Sequence, residues 1–200
     1  MKTSTRITVS VNYASDSWRL MSQMVRQGFT LVELIVTLSI MGIITAMATP
    51  VILTKLADME AKSIRYTLVN TLKLAKAESF VRRKDLIMCL SDNSGICNKD
   101  SSKSLLLFID NDDNKNFEDG TDTLVHMQVL NPKYALLKLR AGGRHYVRFA
   151  GDSGKPRGFF GHIKYCPSVH FNAAQYQISF NQGGMITYKP NASYPTECDT

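Results

Sequence analysis

Carboxylates, cysteines and histidines are the residues of this chain that could do chemistry, and their spacing narrows which chemistry. The densest group is Asp110-Asn111-Asp112-Asp113-Asn114-Lys115-Asn116. Asp110, Asp112 and Asn114 fall at the first three ligand spacings of an EF-hand calcium loop. The match then fails: Lys115 stands where the turn needs glycine, and Thr121 where a bidentate Glu is needed. The run reads as a solvated hairpin loop, and no metal is expected. The cysteines are Cys89, Cys97, Cys166 and Cys198. There is no CxxC and no histidine at ligand spacing, which argues against a zinc site. An even count suggests two disulfides. Three connectivities are open; Cys89–Cys97 with Cys166–Cys198 is favoured, because each pair closes a local segment. His126, His145, His162 and His170 are scattered, with no Ser–His–Asp order at a nucleophile elbow and no HExxH. Neither an enzyme nor a cofactor is expected.

One carboxylate has an unusual setting. Glu33 stands at the mouth of an apolar run, and from Leu34 to Leu53 twenty residues pass without a charge. As a helix at about 1.5 Å per residue, that run spans the ~30 Å apolar thickness of a bilayer. Lys2, Arg6, Arg19 and Arg26 precede it, which predicts a cytoplasmic N-terminus and a C-terminal part outside the cytoplasm. A lone acid at the edge of lipid is costly and needs a partner. A plain signal anchor is the simplest account of such a run.

The hexapeptide before it is more specific. Gly28-Phe29-Thr30-Leu31-Val32-Glu33 ahead of an apolar helix resembles the class III signal of type IV pilins and type II secretion pseudopilins. The resemblance implies cleavage by a prepilin peptidase between Gly28 and Phe29, N-methylation of the Phe29 amine, and retention of the apolar helix. It also implies that Glu33 neutralises the Phe29 ammonium of a neighbouring subunit as helices bundle. A secretory signal is instead cut after its apolar region. Glycine at position 28 suits a protease that must approach the backbone. Leu106-Leu107-Phe108-Ile109-Asp110 with its acidic turn, Val147-Arg148-Phe149 through Gly154, Ile163-Lys164-Tyr165-Cys166, and Ile178-Ser179-Phe180-Asn181-Gln182-Gly183-Gly184 resemble minor pilins and pseudopilins of the GspH/FimT type.

The elements that must position these residues follow from periodicity. Residues 1–28 read as a leader, 29–54 as a transmembrane helix and 55–200 as a periplasmic pilin-like domain. Met24-Val25-Arg26-Gln27-Gly28 alone makes a short basic leader, so Met21 or Met24 is an alternative start. Phe29 to about Lys84 reads as one helix in two regimes, interrupted by Gly42 and bent at Pro50. In its second half Leu56, Ala57, Ala61, Ile64, Leu68, Leu72, Ala75 and Ser79 recur every three or four residues and should face the domain. Lys62, Arg65, Lys73 and Lys76 lie off that stripe, on a solvated face. Strands are expected at Leu86–Leu90, Ser104–Ile109, Thr123–Val129, Ala135–Leu139, His145–Ala150, His162–Cys166, Gln175–Phe180 and Gly184–Tyr188, with turn residues between them. The expected fold class is α+β, a long helix on an antiparallel sheet.

The formal charge is +7, and it is segregated. Residues 85–130 carry nine acids and three lysines, net −6, whereas 131–190 carry nine bases and Asp152, net +8. A basic surface with Tyr146, Phe159, Phe160 and Tyr165 could hold phosphates and stack bases, which makes DNA a candidate partner through Arg140, Arg144, Arg148, Lys155 and Arg157. The alternatives are a contact with another subunit's acidic face, or solubility. DNA-uptake members of the family carry a Gly-Arg-x-Arg segment near the C-terminus; the comparable Gly184-Met185-Ile186-Thr187 has no arginine. The resemblance implies a minor pilin of a type IV pilus that acts in assembly or initiation at the tip. Its partners would be other pilins, prepilin peptidase and the inner membrane. A GspH-like pseudopilin of a type II secretion system and a DNA-binding pilus subunit are the alternatives.

Overall fold

The structure is a computed structural model that describes residues 28–92 and 94–198. The leader up to Gln27, with its basic residues and the alternative starts, lies outside the described residues. Helix α1 runs Leu31–Arg82. It is followed by β1 (Leu86–Ser91), β2 (Ser104–Ile109), β3 (Thr123–Val129), β4 (Ala135–Arg140), β5 (Tyr146–Phe149), β6 (Gly161–Pro167), β7 (Tyr176–Phe180) and β8 (Ile186–Pro190). The α+β class is as the sequence reads, and every expected strand is present within two residues at each end. Gly42 and Pro50 do not end α1, which continues through both. The antiparallel β region is built as two four-stranded sheets, ordered β3-β2-β1-β5 and β4-β6-β7-β8. Strand periodicity fixes which side of a strand is apolar, but not which partner it pairs with.

Two compact units divide the chain, residues 1–45 and 46–200. In the second unit, Ala57, Ala61, Ile64, Leu68, Thr71, Leu72, Ala75 and Ser79 of α1 are buried. They recur every three or four residues, so they form one stripe of the helix. Leu56, expected in that stripe, is 44% exposed; Ala57 holds the inward position, and adjacent helical residues point about 100° apart. The stripe shares one apolar core with Leu86, Met88, Leu90, Leu105 and Leu107 of the first sheet and Leu137, Leu139, Ile163, Tyr165, Tyr176 and Ile178 of the second. α1 stops at Arg82, and Arg83 takes the left-handed backbone at φ 54°, the usual way to close a last turn.

β1 and β2 are buried along their length. Their opposite side chains (Ile87, Cys89, Leu106, Phe108) form a second cluster with Cys97 and Phe117. Phe108 and Phe117 meet edge to face at 5.7 Å. The connections after β1 and β2 thus cover this sheet. Gly95 permits the closeness: its φ is +82°, and a Cβ there would lie 2.6 Å from the Phe117 carbonyl.

Polar docking of α1 on the second sheet centres on Glu60. Its Oε2 accepts from the Lys133 backbone N–H at 2.7 Å, and its Oε1 accepts from the Tyr134 N–H at 3.1 Å and the Tyr165 hydroxyl at 3.2 Å. Tyr165 stacks on Tyr176 at 4.9 Å, and the Tyr176 hydroxyl donates to the Ala61 carbonyl at 2.8 Å. Burial pushes both phenols well above the ordinary tyrosine range, with the Glu60 carboxylate adding to the rise; both therefore act as donors. Replacing Glu60 by Ala strands three donors at once. The expected loss of stability is about 2–3 kcal/mol, read by denaturation of the full chain. Glu78→Ala removes the exposed helical pair with Arg82 (2.6 Å) and should cost no more than about 0.5 kcal/mol.

Candidate processing and assembly site

Thr30 caps α1. Its Oγ1 accepts from the Glu33 backbone N–H at 3.2 Å, and its carbonyl accepts from the Leu34 N–H at 3.1 Å. Thr30-Leu31-Val32-Glu33 has the Thr-x-x-Glu spacing of a capping box, a signal present in the sequence that reading the segment as a peptidase target passed over. The cap places Glu33 in the first turn, where the helix dipole favours a carboxylate. Gly28 and Phe29 lie just before this cap, and Phe29 is 75% exposed.

Beyond Glu33 the apolar side chains Leu34, Ile35, Val36, Leu38, Ile40, Met41, Ile43 and Ile44 are all exposed. The helix is long and apolar enough to cross a membrane. Hydroxyls within this stretch bond to their own helix: Thr37 to the Leu34 carbonyl at 2.9 Å, Ser39 to Ile35 at 2.8 Å and Thr45 to Met41 at 2.6 Å. Polar groups satisfied inside the segment are what hydrocarbon requires. Gly28 and Gly42 share a further property. A Cβ at either would meet nothing within 4 Å, and neither has a left-handed φ. Among the described residues, no turn and no close approach demands glycine at these positions.

With this geometry in view, residues 23–49 match the family described as the prokaryotic N-terminal methylation motif. The chain carries that motif. The motif spans Gly28, Phe29, Glu33 and most of the apolar stretch. No curated protein matches the sequence. Two crystal structures of the Pseudomonas aeruginosa (strain PAO1) type IV minor pilin FimU, in space groups P21 and P65, are similar in fold at 14% identity and a TM-score of 0.48. They cover 70% and 68% of this chain and 95% and 98% of their own. Likeness of that extent carries no residue role to this chain.

The five basic residues are differently engaged. Arg140 Nη1 pairs with Asp100 at 2.8 Å, Arg148 Nε lies 3.8 Å from Asp85, and Arg157 Nη2 pairs with Asp152 at 2.7 Å. Arg144 lies in the turn before β5, not on the strand with Arg148; it stacks 4.6 Å over the Phe159 ring and donates to the Gly158 carbonyl at 3.2 Å. Lys155 is exposed. The first two pairs join the acidic segment to the basic one, so charges that are apart in sequence meet within the chain. Paired arginines release fewer counterions on meeting phosphate. Of the four aromatics proposed to stack bases, Tyr165 on β6 and Phe159 in the connection before it are buried, Tyr146 on β5 is half-buried, and Phe160 is strongly exposed. His126 lies on β3 and His162 on β6, while His145 and His170 lie in the connections before β5 and after β6. Burial, then the nearby Lys164, Lys189 and Arg140, lower the His162 pKa. Arg65, expected on a solvated face, instead stacks on Tyr66 and Tyr188 at 4.9 and 4.7 Å.

The cysteines pair as Cys89–Cys97 and Cys166–Cys198, each with Cα atoms 5.5 Å apart. The first links β1 to the segment covering its outer side. The second holds the C-terminal tail, whose carbonyls accept from Lys138 (2.6 Å, Cys198) and Lys164 (3.2 Å, Glu197). Closing a separation of 32 residues is worth about 3–4 kcal/mol by chain entropy. Non-reducing peptide mapping should recover these two linkages, and a Cys97–Cys166 peptide would contradict them.

Proposed function

We propose that this chain is a minor pilin of a type IV pilus. It enters the inner membrane with its N-terminus in the cytoplasm and its β-rich domain in the periplasm. Prepilin peptidase cuts it after Gly28, and the new Phe29 amine is methylated. The Phe29–Thr54 helix then joins a bundle of pilin helices, and the subunit primes assembly at the fibre tip. The observation that carries this reading is the methylation motif over residues 23–49, joined to an apolar helical stretch whose side chains are exposed among the described residues.

Two details support it. Among the described residues nothing lies within 4 Å of a Cβ at position 28, as expected where the constraint on glycine is an approaching peptidase. Glycine at position 42 is similar: mid-helix it costs about 1 kcal/mol relative to alanine, and close helix packing in lipid is a setting that uses small residues. Chemistry then follows from electrostatics. A methylated Phe29 ammonium and the Glu33 carboxylate are each costly in lipid, and paired between neighbouring subunits each offsets the other's cost. The three arginine–carboxylate pairs make DNA capture the weaker reading.

The processing step predicts that Gly28→Leu leaves only the longer, uncut form in membranes, seen as a mobility difference on immunoblots; wild-type processing of that variant would contradict it. The pairing step predicts that Glu33→Ala is cut normally but falls at least about tenfold in sheared fibres. Wild-type amounts in the fibre fraction would refute the pairing.

A further inference from the structure

The acidic hairpin between β2 and β3 takes no part in the assembly reading, and its fold removes both mismatches that its sequence has against a calcium loop. Lys115, where such a loop needs glycine, has φ +68°, the left-handed backbone that glycine normally supplies. Asp122, one residue beyond Thr121, brings a carboxylate oxygen within 4.8 Å of oxygens from Asp110 and Asp112. The hairpin that the sequence reads as solvated is thus partly folded in on itself.

Asp110 gives an independent observation. Its side chain is only 5% exposed. Its Oδ2 accepts from the Lys115 backbone N–H at 3.2 Å and from Lys115 Nζ at 3.3 Å. Its Oδ1 is buried and has no hydrogen-bond partner. A buried carboxylate oxygen without a donor or a cation is costly. The other groups of the hairpin hold its shape. Asp122 accepts from the Asn111 and Glu118 backbone N–H groups at 2.9 and 3.0 Å, and Asp112 from the Asn114 N–H at 3.2 Å. Asn116 Oδ1 accepts from the Cys97 N–H at 3.1 Å, which ties the hairpin to the Cys89–Cys97 bridge. Each carboxylate oxygen has two lone pairs, so those already hydrogen-bonded still have one for an ion.

We propose that the Asp110–Asp122 hairpin binds one calcium ion through Asp110, Asp112 and Asp122. The ligands are hard oxygens on a flexible loop, the setting calcium accepts; magnesium demands a stricter octahedron and gives up its waters reluctantly. Waters complete the coordination. Lys115 Nζ engages Asp110 Oδ2 and Asp113, which leaves Asp110 Oδ1 for the ion.

The test is calorimetric titration of the purified full-length protein in detergent with CaCl2, and separately with MgCl2. Asp112 is exposed, so Asp112→Asn should fold normally. The wild type should bind one calcium saturably with Kd on the order of 10⁻⁴–10⁻³ M or tighter. Asp112→Asn should weaken binding by at least about tenfold, and Lys115→Gln should bind at least as tightly as wild type. No saturable heat in the wild type, or equal affinity in Asp112→Asn, would overturn the proposal. Binding by Lys115→Gln alone would also overturn it, because the lysine ammonium would then be the hairpin's own cation. Magnesium binding as tight as calcium would overturn the choice of ion.

Discussion

A helical surface of apolar side chains left exposed among the described residues is the constraint on which the rest depends. From Leu31 through Ile44 the large apolar residues of α1 are exposed. Each would cost roughly 1.5–3 kcal/mol to leave in water rather than buried, and together they far exceed the 5–15 kcal/mol that holds a typical domain folded. Such a surface persists only in lipid or against other helices. Chemistry within it obeys the same demand. The hydroxyls of Thr37, Ser39 and Thr45 turn back on helix carbonyls, and the one charge, Glu33, stands at the capped first turn.

The second half of α1 meets the opposite condition. There the apolar stripe from Ala57 to Ser79 is buried by two sheets of the same chain, and Glu60 joins it to the start of β4 and to Tyr165 through three hydrogen bonds. Among the described residues, one helix thus has a segment whose apolar side chains are covered and a segment whose apolar side chains are exposed. The two disulfides hold the domain's least regular parts, the cover over β1 and the C-terminal tail.

Much of this was legible in the residues. The strands appear because alternation and turn residues are local signals; β2 and β3 match their expected bounds to the residue. The split into two sheets was hidden, since pairing joins residues far apart, such as Leu86 with Phe149 and Ala135 with Pro167. Leu56 was misplaced because a helical stripe drifts and Ala57 fits the inward position. The Thr30 cap was readable from its spacing. Glu60 was not, as its partners lie more than seventy residues away. The net charge of the basic segment could not show that Asp85 and Asp100 lie beside Arg148 and Arg140. The shape of the acidic hairpin was hidden as well: nothing local shows that Lys115 takes a left-handed backbone or that an Asp122 oxygen lies within 4.8 Å of oxygens from Asp110 and Asp112.

The central claim is that residues 28 to 54 answer to agents outside the chain: a peptidase, a methylase, and the helices of neighbouring subunits. Mass spectrometry of the N-terminal peptide from the membrane and fibre fractions tests this most directly. The account predicts a peptide beginning at Phe29 and heavier by one methyl group. A mature N-terminus anywhere upstream of Gly28, with the leader intact, would contradict it.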